Sequence, residues 1–202
     1  VNEIFTKKRF YKLKTEKEIA DFIEQNVRKK GALSTSFPTI VAEGKNSSMP
    51  HYHSSCRKKV FFNPLLVDAG ALYNGYNSDL TRTFTNHTIS TKFREILKVV
   101  KEAQEKALSI IKPGVAAKDV DKAARDIIVK AGYGDCFGHG LGHGIGLEVH
   151  ESPYISKNSD TVLKEGMVFT VEPGIYIKGH FGCRIEDVVV VTKNGCKRLT
   201  VL

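Results

Sequence analysis

The sequence predicts an α+β fold that is built from two related halves. Three amphipathic stretches alternate with two pairs of extended runs. The chain also matches itself when it is shifted by 101 positions, so that Lys17 aligns with Lys118. No segment rich in proline, glycine or serine separates the two halves. We therefore expect one domain over residues 1–202, with halves at about 1–90 and 91–202.

Three stretches carry apolar side chains at helical spacing, namely residues 15–30, 91–111 and 117–131. In the first stretch, Thr15 followed by Glu18 is the sequence signature of a capping box at a helix N-terminus. A glycine or a proline follows each stretch, as is common at helix ends: Gly31, Pro113 and Gly132. Each stretch is therefore expected to form one helix.

Two pairs of extended runs predict antiparallel strand pairs: residues 65–73 with 76–84, and residues 167–177 with 183–192. Asn74-Gly75 joins the first pair and favours a type I′ hairpin turn, because both residues tolerate the positive φ that this turn requires. In the last run, consecutive valines at 188–191 indicate a buried strand.

The first strand pair carries two aspartates on one face. A two-residue turn pairs Tyr73 with Tyr76, which places Asp79 opposite Gly70, two residues from Asp68 on the same strand. Diagonal neighbours of this kind have Cβ atoms about 6–7 Å apart, a separation that two metal ions can bridge. Two solvated aspartates on a polar face are the alternative interpretation.

The second strand pair carries Glu172 and Glu186 inside runs that otherwise read as core. A buried carboxylate costs several kcal/mol unless it is paired or bound to a metal. Arg184 shares a face with Glu186, so a plain ion pair between these two residues remains an alternative to metal binding.

A glycine-rich segment between the strand pairs contains His139, His143 and His150. Its glycines let backbone and imidazole groups approach a site closely, although a histidine packed in the core is the simpler alternative. Four carboxylates balance the charge of two divalent cations, and an oxygen-rich set with one imidazole suits manganese, cobalt, iron or zinc. Paired ions of this type are a known device for hydrolysis.

Four motifs occur in succession: VDAGALYNGYNSDLTRTF, GHGLGHGIGLEVHESP, VFTVEPGIYI and CRIEDVVVV. Together they resemble the pita-bread metallopeptidases, most closely the aminopeptidase P and proline dipeptidase (prolidase) branch, from about residue 13 to the C-terminus. The resemblance implies a pita-bread fold, with two pseudo-symmetric α-β halves around a curved antiparallel sheet. It also implies hydrolysis of the Xaa-Pro bond at the N-terminus of peptides or in dipeptides. Two divalent metal ions would be the cofactors, with manganese favoured over cobalt, zinc or iron.

The resemblance assigns roles to individual residues. It implies five metal ligands: Asp68 on one ion, His143 and Glu172 on the other, and Asp79 and Glu186 bridging both. His51 would orient the substrate carbonyl or stabilise the oxyanion that develops on it, and His150 would contact the peptide and the tetrahedral intermediate. Glu172 would carry a proton to the leaving nitrogen. Substrate contacts are implied for five residues: His51, His139, His150, Tyr176 and Arg184. His53 and His180 match no role in the family and are expected at the surface.

Two other functions remain open. Methionine aminopeptidases share the five ligands, although the sequence PHYHS and the arginine of RIED favour the proline-specific branch. The second alternative is a non-catalytic binding module that uses the basic first third. Of the net charge of +9, residues 1–60 contribute most, with 13 Lys and Arg against 6 Asp and Glu. A solvated lysine-rich face explains that excess more simply than nucleic-acid binding does, because neither an RNP-type motif nor a zinc finger is present.

The remaining features bear on location and chain length. Four cysteines without a CxxC pair indicate reduced thiols and a cytoplasmic protein. The sequence shows neither a membrane-spanning apolar run nor a signal peptide, and it is compatible with a homodimer. The repeat places only the tail of a partner for the helix at 91–111 within residues 1–10. We therefore expect a catalytic domain that is shortened at its N-terminus.

Overall fold

The computed structural model describes residue 4, residues 10–56 and residues 59–200. The three predicted helices are present and end within one residue of the predicted limits: α1 (Glu16–Lys29), α2 (Thr91–Ile110) and α3 (Ala117–Lys130). The helix tail expected within residues 1–10 falls largely on residues 1–3 and 5–9, which lie outside the described residues.

Local signals fix the ends of α1. The Thr15 hydroxyl accepts a hydrogen bond from the Glu18 amide at 3.1 Å, as a capping residue does. The Glu18 carboxylate reaches one residue further back than in the usual capping box and accepts from the Lys14 amide at 2.8 Å. Beyond the helix, Gly31 has φ +95°, a conformation that favours glycine and ends the helix there.

The strands of the first half are short and antiparallel. They are β1 (Ile40–Glu43), β2 (Leu65–Asp68), β3 (Leu72–Tyr73), β4 (Tyr76–Asn77) and β5 (Thr81–Phe84). Hydrogen bonding joins them in the order β1-β2-β5, with β3 and β4 as a separate hairpin. Asn74 and Gly75 have φ +49° and +82°, which confirms the predicted turn.

The second half repeats this arrangement and extends it. Its strands are β6 (Gly142–Gly144), β7 (Glu151–Ile155), β8 (Val168–Val171), β9 (Gly174–Ile177), β10 (Phe181–Arg184), β11 (Asp187–Thr192) and β12 (Gly195–Arg198). The order β6-β8-β11 corresponds to β1-β2-β5, and the β9–β10 hairpin corresponds to β3–β4. Helices α1 and α3 have the same length and an offset of 101 positions, so the repeat seen in the sequence is a repeat of structure.

The prediction of four uninterrupted strands is wrong, because each run is split in two. The predicted register is kept across the first break: Tyr73 pairs with Tyr76 at the tip, and Asp68 pairs with Thr81 beyond the break. In the second half, the break after β8 coincides with Pro173, which has no N–H to donate to a neighbouring strand. The breaks release the backbone next to the four candidate carboxylates from regular pleating.

Each half has its own apolar cluster. Helix α1 packs on the smaller sheet through buried residues that include Ile19, Ile23 and Val67. Helices α2 and α3 pack on the larger sheet, whose buried residues include Phe169 and Val189. The predicted burial of the valine run is confirmed, since three of its four valines lie in the core. These contacts leave the split ends of the central strands to form the walls of a cavity.

Candidate metal centre

The five predicted ligands line one cavity of about 760 Å³. Each carboxylate lies at a broken strand end: Asp68 ends β2, Asp79 precedes β5, Glu172 follows β8 and Glu186 precedes β11. The two halves therefore contribute equivalent positions to a single site. A backbone hydrogen bond of 3.1 Å from the Glu186 amide to the Thr81 carbonyl joins the halves beside it.

Three of the five side chains place their ligand atoms close to one another. Atoms of Asp79, His143 and Glu186 all lie within 4.8 Å of one another. The Nε2 atom of His143 lies 3.4 Å from Glu172 Oε1 and 3.8 Å from Asp79 Oδ2. Asp68 stands beside this group, and its charge helps to raise the pKa values of Asp79 and Glu186.

His143 is held in the form that binds metals. Its Nδ1 lies 3.0 Å from the Gly144 carbonyl oxygen, which only accepts, so Nδ1 carries the proton and Nε2 presents a lone pair to the carboxylates. Burial lowers the pKa of His143, which favours the neutral ring. The Thr170 hydroxyl connects this residue to the next, because it accepts from the His143 amide and donates to Glu172, both at 3.0 Å.

The cavity concentrates negative charge without enough positive charge to balance it. Burial, and then repulsion from neighbouring carboxylates, raises the pKa of Asp79 and of Glu186 well above their ordinary values. Burial also raises the pKa of Glu172 to about 7. Among the described residues, the buried Oδ1 atoms of Asp68 and Asp79 have no hydrogen-bond partner. Two orphaned carboxylate oxygens, a neutral imidazole and two further carboxylates are a donor set that fits hard divalent cations.

Arg184 is the buried cation of the site, and its donors are distributed among three residues. It donates to Asp68 Oδ2 at 2.5 Å, and to the Thr81 and Tyr176 hydroxyls at 2.9 Å each. The alternative of a plain Arg184–Glu186 ion pair is therefore wrong for the described residues. Glu186 instead accepts from the Thr81 hydroxyl at 2.6 Å. The pairing differs because the chain breaks between β10 and β11, so residues 184 and 186 do not share the face of one strand.

A directed hydrogen-bond chain extends from Arg184 to His139. Because Arg184 donates to the Tyr176 oxygen, the hydroxyl proton of Tyr176 is free to reach His139 Nε2 at 3.1 Å. The other ring nitrogen of His139 donates to the Gly140 carbonyl at 2.7 Å. Burial lowers the pKa of His139 to about 4 and raises that of Tyr176 to about 12. Both groups are therefore neutral around pH 7.

The other four histidines considered from the sequence divide between the cavity and the surface. His51 and His150 both line the cavity, and the His150 ring centroid lies 4.2 Å from that of His143. His53 is exposed as expected, but it also lines the cavity, which sequence reasoning missed. His180 is exposed on the turn between β9 and β10, as predicted.

Two threonines and one glycine complete the site. Sequence reasoning missed Thr81 and Thr170, which bind Glu186 and Glu172. Each threonine lies two residues from a predicted ligand, a spacing that places two side chains on the same face of a strand. The predicted close approach at the glycine-rich segment is confirmed at Gly142. A Cβ at this position would lie 1.9 Å from the Thr170 carbonyl oxygen, so a side chain there would push β6 away from β8.

The fold brings this carboxylate cluster and His143 together as a donor set that suits a divalent cation. Residues 2–193 match metallopeptidase family M24, and the chain belongs to that family. The Xaa-Pro dipeptidase of Pyrococcus furiosus is 50% identical over 187 residues, which cover 93% of this chain and 54% of that protein. The chain thus spans about half the length of the curated relatives it matches.

Solved structures give the same result for the fold. The prolidase from Pyrococcus furiosus superposes with a TM-score of 0.90 at 50% identity, covering 93% of this chain and 56% of that one. The X-Pro aminopeptidase from Thermotoga maritima gives a TM-score of 0.94 at 46% identity, covering 100% and 58%. The architecture is the pita-bread fold implied by the sequence motifs. None of the helices in the described part of the chain has the length and hydrophobicity needed to cross a bilayer.

Proposed function

We propose that residues 1–202 form a single catalytic domain of a dinuclear-metal-dependent exopeptidase, which hydrolyses the Xaa-Pro bond at the N-terminus of peptides or in dipeptides. The observation that carries this proposal is the group of four carboxylates that lines one cavity with His143, with two buried oxygens unpartnered. The relatives named as Xaa-Pro dipeptidases and as an X-Pro aminopeptidase support the choice of substrate.

The ligands of the two ions would be Asp68, Asp79, His143, Glu172 and Glu186. Two divalent charges would balance the four carboxylates, and the oxygen-rich set favours manganese over cobalt, zinc or iron. When bound, such ions polarise a carbonyl and lower the pKa of a coordinated water towards neutrality. Arg184 would keep Asp68 oriented through its 2.5 Å hydrogen bond while leaving the second oxygen of that carboxylate available.

Proton transfer is proposed for Glu172. Its Oε1 atom lies 3.4 Å from His143 Nε2 on the cavity wall, a place from which a carboxylate takes a proton from water and gives it to the leaving nitrogen of proline. The Thr170 hydroxyl holds one of its oxygens at 3.0 Å, which fixes the carboxylate plane during the transfer. His51 and His150, both on the cavity wall, would donate to the oxygen on which negative charge develops.

A neutral wall on one side of the cavity would receive the proline ring. The ring of His139 packs edge-on against Phe137, with centroids 5.0 Å apart, and holds Tyr176 by the hydrogen bond described above. Neither residue carries charge around pH 7, so the apolar pyrrolidine ring of proline would displace water from no charged group there. Arg184 orients this wall through the Tyr176 oxygen.

The proposal is tested with Glu172→Gln in the manganese-loaded protein. We expect the variant to fold and to lose turnover of an Xaa-Pro dipeptide and of a longer Xaa-Pro-Yaa peptide by at least about a hundredfold, since acid–base catalysis contributes on the order of 10²–10⁴-fold. Unchanged turnover in the variant would contradict the assigned role. Faster cleavage of Met-Ala than of Xaa-Pro peptides by the unaltered chain would favour a methionine aminopeptidase instead.

We also propose a cytoplasmic location. It is supported by Cys56, Cys136, Cys183 and Cys196, all of which are free thiols. Burial raises the pKa of Cys183 to about 12, so this thiol stays protonated and unreactive.

A further inference from the structure

We propose that Glu16 and Asp121 are positioning residues, each of which fixes the histidine-bearing segment of its own half beside the cavity. Glu16 would fix His51, and Asp121 would fix His139. The inference rests on the proposed function, because these two histidines line the space assigned to the substrate. Both carboxylates are fully buried and lie outside the proposed metal-ligand set.

Glu16 ties together the two ends of residues 43–55. Both of its oxygens are used, each by two donors, and the four donors are the Glu43 amide at 2.8 Å, the Asn46 side chain at 2.7 Å, the Tyr52 hydroxyl at 2.9 Å and the Ser55 amide at 3.1 Å. His51 lies inside this segment, adjacent to Tyr52. A single buried carboxylate on α1 therefore determines where the backbone that carries His51 runs.

These contacts require a side chain with two oxygens that both accept hydrogen bonds. A carboxylate offers acceptor sites on both oxygens, whereas a glutamine amide would direct its NH2 group at two donors. Glu16 is also the first residue of α1, where the helix dipole favours negative charge. Burial and the hydrogen bond to Glu16 raise the pKa of Tyr52 to about 12, so this hydroxyl donates around pH 7.

Asp121 performs the same task in the second half by a different route. It accepts from the Leu141 amide at 3.0 Å and from two nitrogens of Arg125 at 2.8 Å. Arg125 in turn donates to the carbonyls of Phe137 and His139, at 2.9 and 2.8 Å, and its guanidinium carbon lies 4.2 Å from the centre of the Phe137 ring. The carboxylate thus fixes residues 137–141, which carry His139.

The two carboxylates are not copies produced by the repeat. The 101-residue offset relates Glu16 to Ala117 and Asp121 to Ala20, so the acids occupy helix positions one turn apart. Their target histidines both line the large cavity and also a neighbouring cavity of about 330 Å³. Two different solutions to one positioning task indicate that the placement of the histidine segments is itself required.

The test uses Glu16→Gln and Asp121→Asn in the full chain, with two readouts. Hydrogen exchange followed by mass spectrometry should show faster exchange in residues 43–55 for Glu16→Gln and in residues 137–141 for Asp121→Asn. We expect each variant to lower kcat/KM for an Xaa-Pro peptide by about tenfold or more, because a misplaced group costs on the order of a hundredfold per ångström.

Double-mutant cycles separate positioning from general destabilisation. The loss of kcat/KM caused by Glu16→Gln should vanish when His51→Ala is already present, and should persist when His139→Ala is present instead. The loss caused by Asp121→Asn should vanish when His139→Ala is present and should persist when His51→Ala is present. Ile23→Val on α1, a buried apolar change without polar contacts, is the control and should be additive with both histidine variants. If Glu16→Gln does not fold, Tyr52→Phe removes one of the four hydrogen bonds and should follow the same pattern with a smaller loss.

Each outcome decides a separate claim. Additive effects in all pairs, or unchanged exchange in both segments, would overturn the positioning roles. If the unaltered chain does not cleave Xaa-Pro peptides, the proposed function fails, and the exchange measurement alone then decides whether the two carboxylates fix these segments. Changed exchange confined to the matched segment, together with the crossed pattern of coupling, supports the inference.

Discussion

The metal-free protein should lose stability as the pH rises, and Glu172 should account for a measurable part of that loss. The pKa of this carboxyl is about 7 in the folded chain, against an ordinary value of 4.5. The folded state therefore holds the proton more tightly than the unfolded state does. The stabilisation is complete below the ordinary pKa and disappears as the pH rises through about 7.

The magnitude follows from proton linkage. A shift of this size corresponds to about 3 kcal/mol between the two limits, and to about 2 kcal/mol between about pH 5.5 and about pH 8. His139 acts in the opposite direction, because its pKa is lowered to about 4 and the folded state excludes the proton. Comparing the native chain with Glu172→Gln cancels the contribution of His139, which is common to both, and leaves that of Glu172 together with its repulsion of Asp79 and Glu186.

The assay is urea unfolding in the presence of a chelator at the two pH values. From about pH 5.5 to about pH 8, the free energy of unfolding of the native chain should fall by about 2 kcal/mol relative to that of Glu172→Gln. Saturating manganese should reverse the trend for the native chain, because the ion binds deprotonated ligands and stabilises the state that holds them. Identical pH dependence of the two metal-free proteins would refute the assignment of a buried, proton-binding Glu172.

Three further results are expected. Gly142→Ala should lower the free energy of unfolding by about 2–4 kcal/mol, because its Cβ would overlap a backbone carbonyl, whereas Gly138→Ala, which meets nothing within 4 Å, should change it little in the same urea titration. Arg184→Met should cost about 3–5 kcal/mol by leaving a buried carboxylate unpaired, while Lys118→Met, which breaks an exposed ion pair, should change the free energy of unfolding little; equal losses would contradict the burial of the first pair. The apparent affinity for manganese, measured by calorimetry, should rise with pH through about 7, where Glu172 loses its proton, and a flat profile would count against its role as a ligand.

The helices and the hairpin turn could be predicted from the sequence because their signals are local. Apolar spacing, Thr15 as a cap and glycines after the last turn set the limits of α1 and α3 to within one residue. Asn74-Gly75 fixed the register that later pairs Asp68 with Thr81. These features depend on a few neighbouring residues and on little else.

The strand breaks and the positioning carboxylates could not be predicted in this way. Pro173 could have marked the break after β8, but nothing in the run at 65–73 reveals that β2 ends at Asp68, because that break depends on packing around the cavity. Glu16 and Asp121 each look like a solvated acid on an amphipathic helix. Their burial arises from segments 27 and 20 residues further along the chain, whose amides they bind.

The central claim is metal-dependent cleavage before proline, and its most direct measurement is the release of proline from Ala-Pro, with Ala-Ala as the matched control. The protein is assayed after loading with manganese, after chelation, and after manganese is restored. We predict that Ala-Pro is cleaved by the loaded and restored protein, that Ala-Ala is cleaved far more slowly, and that chelation abolishes both activities. Turnover that survives complete chelation, or equal rates on the two dipeptides, would contradict the account.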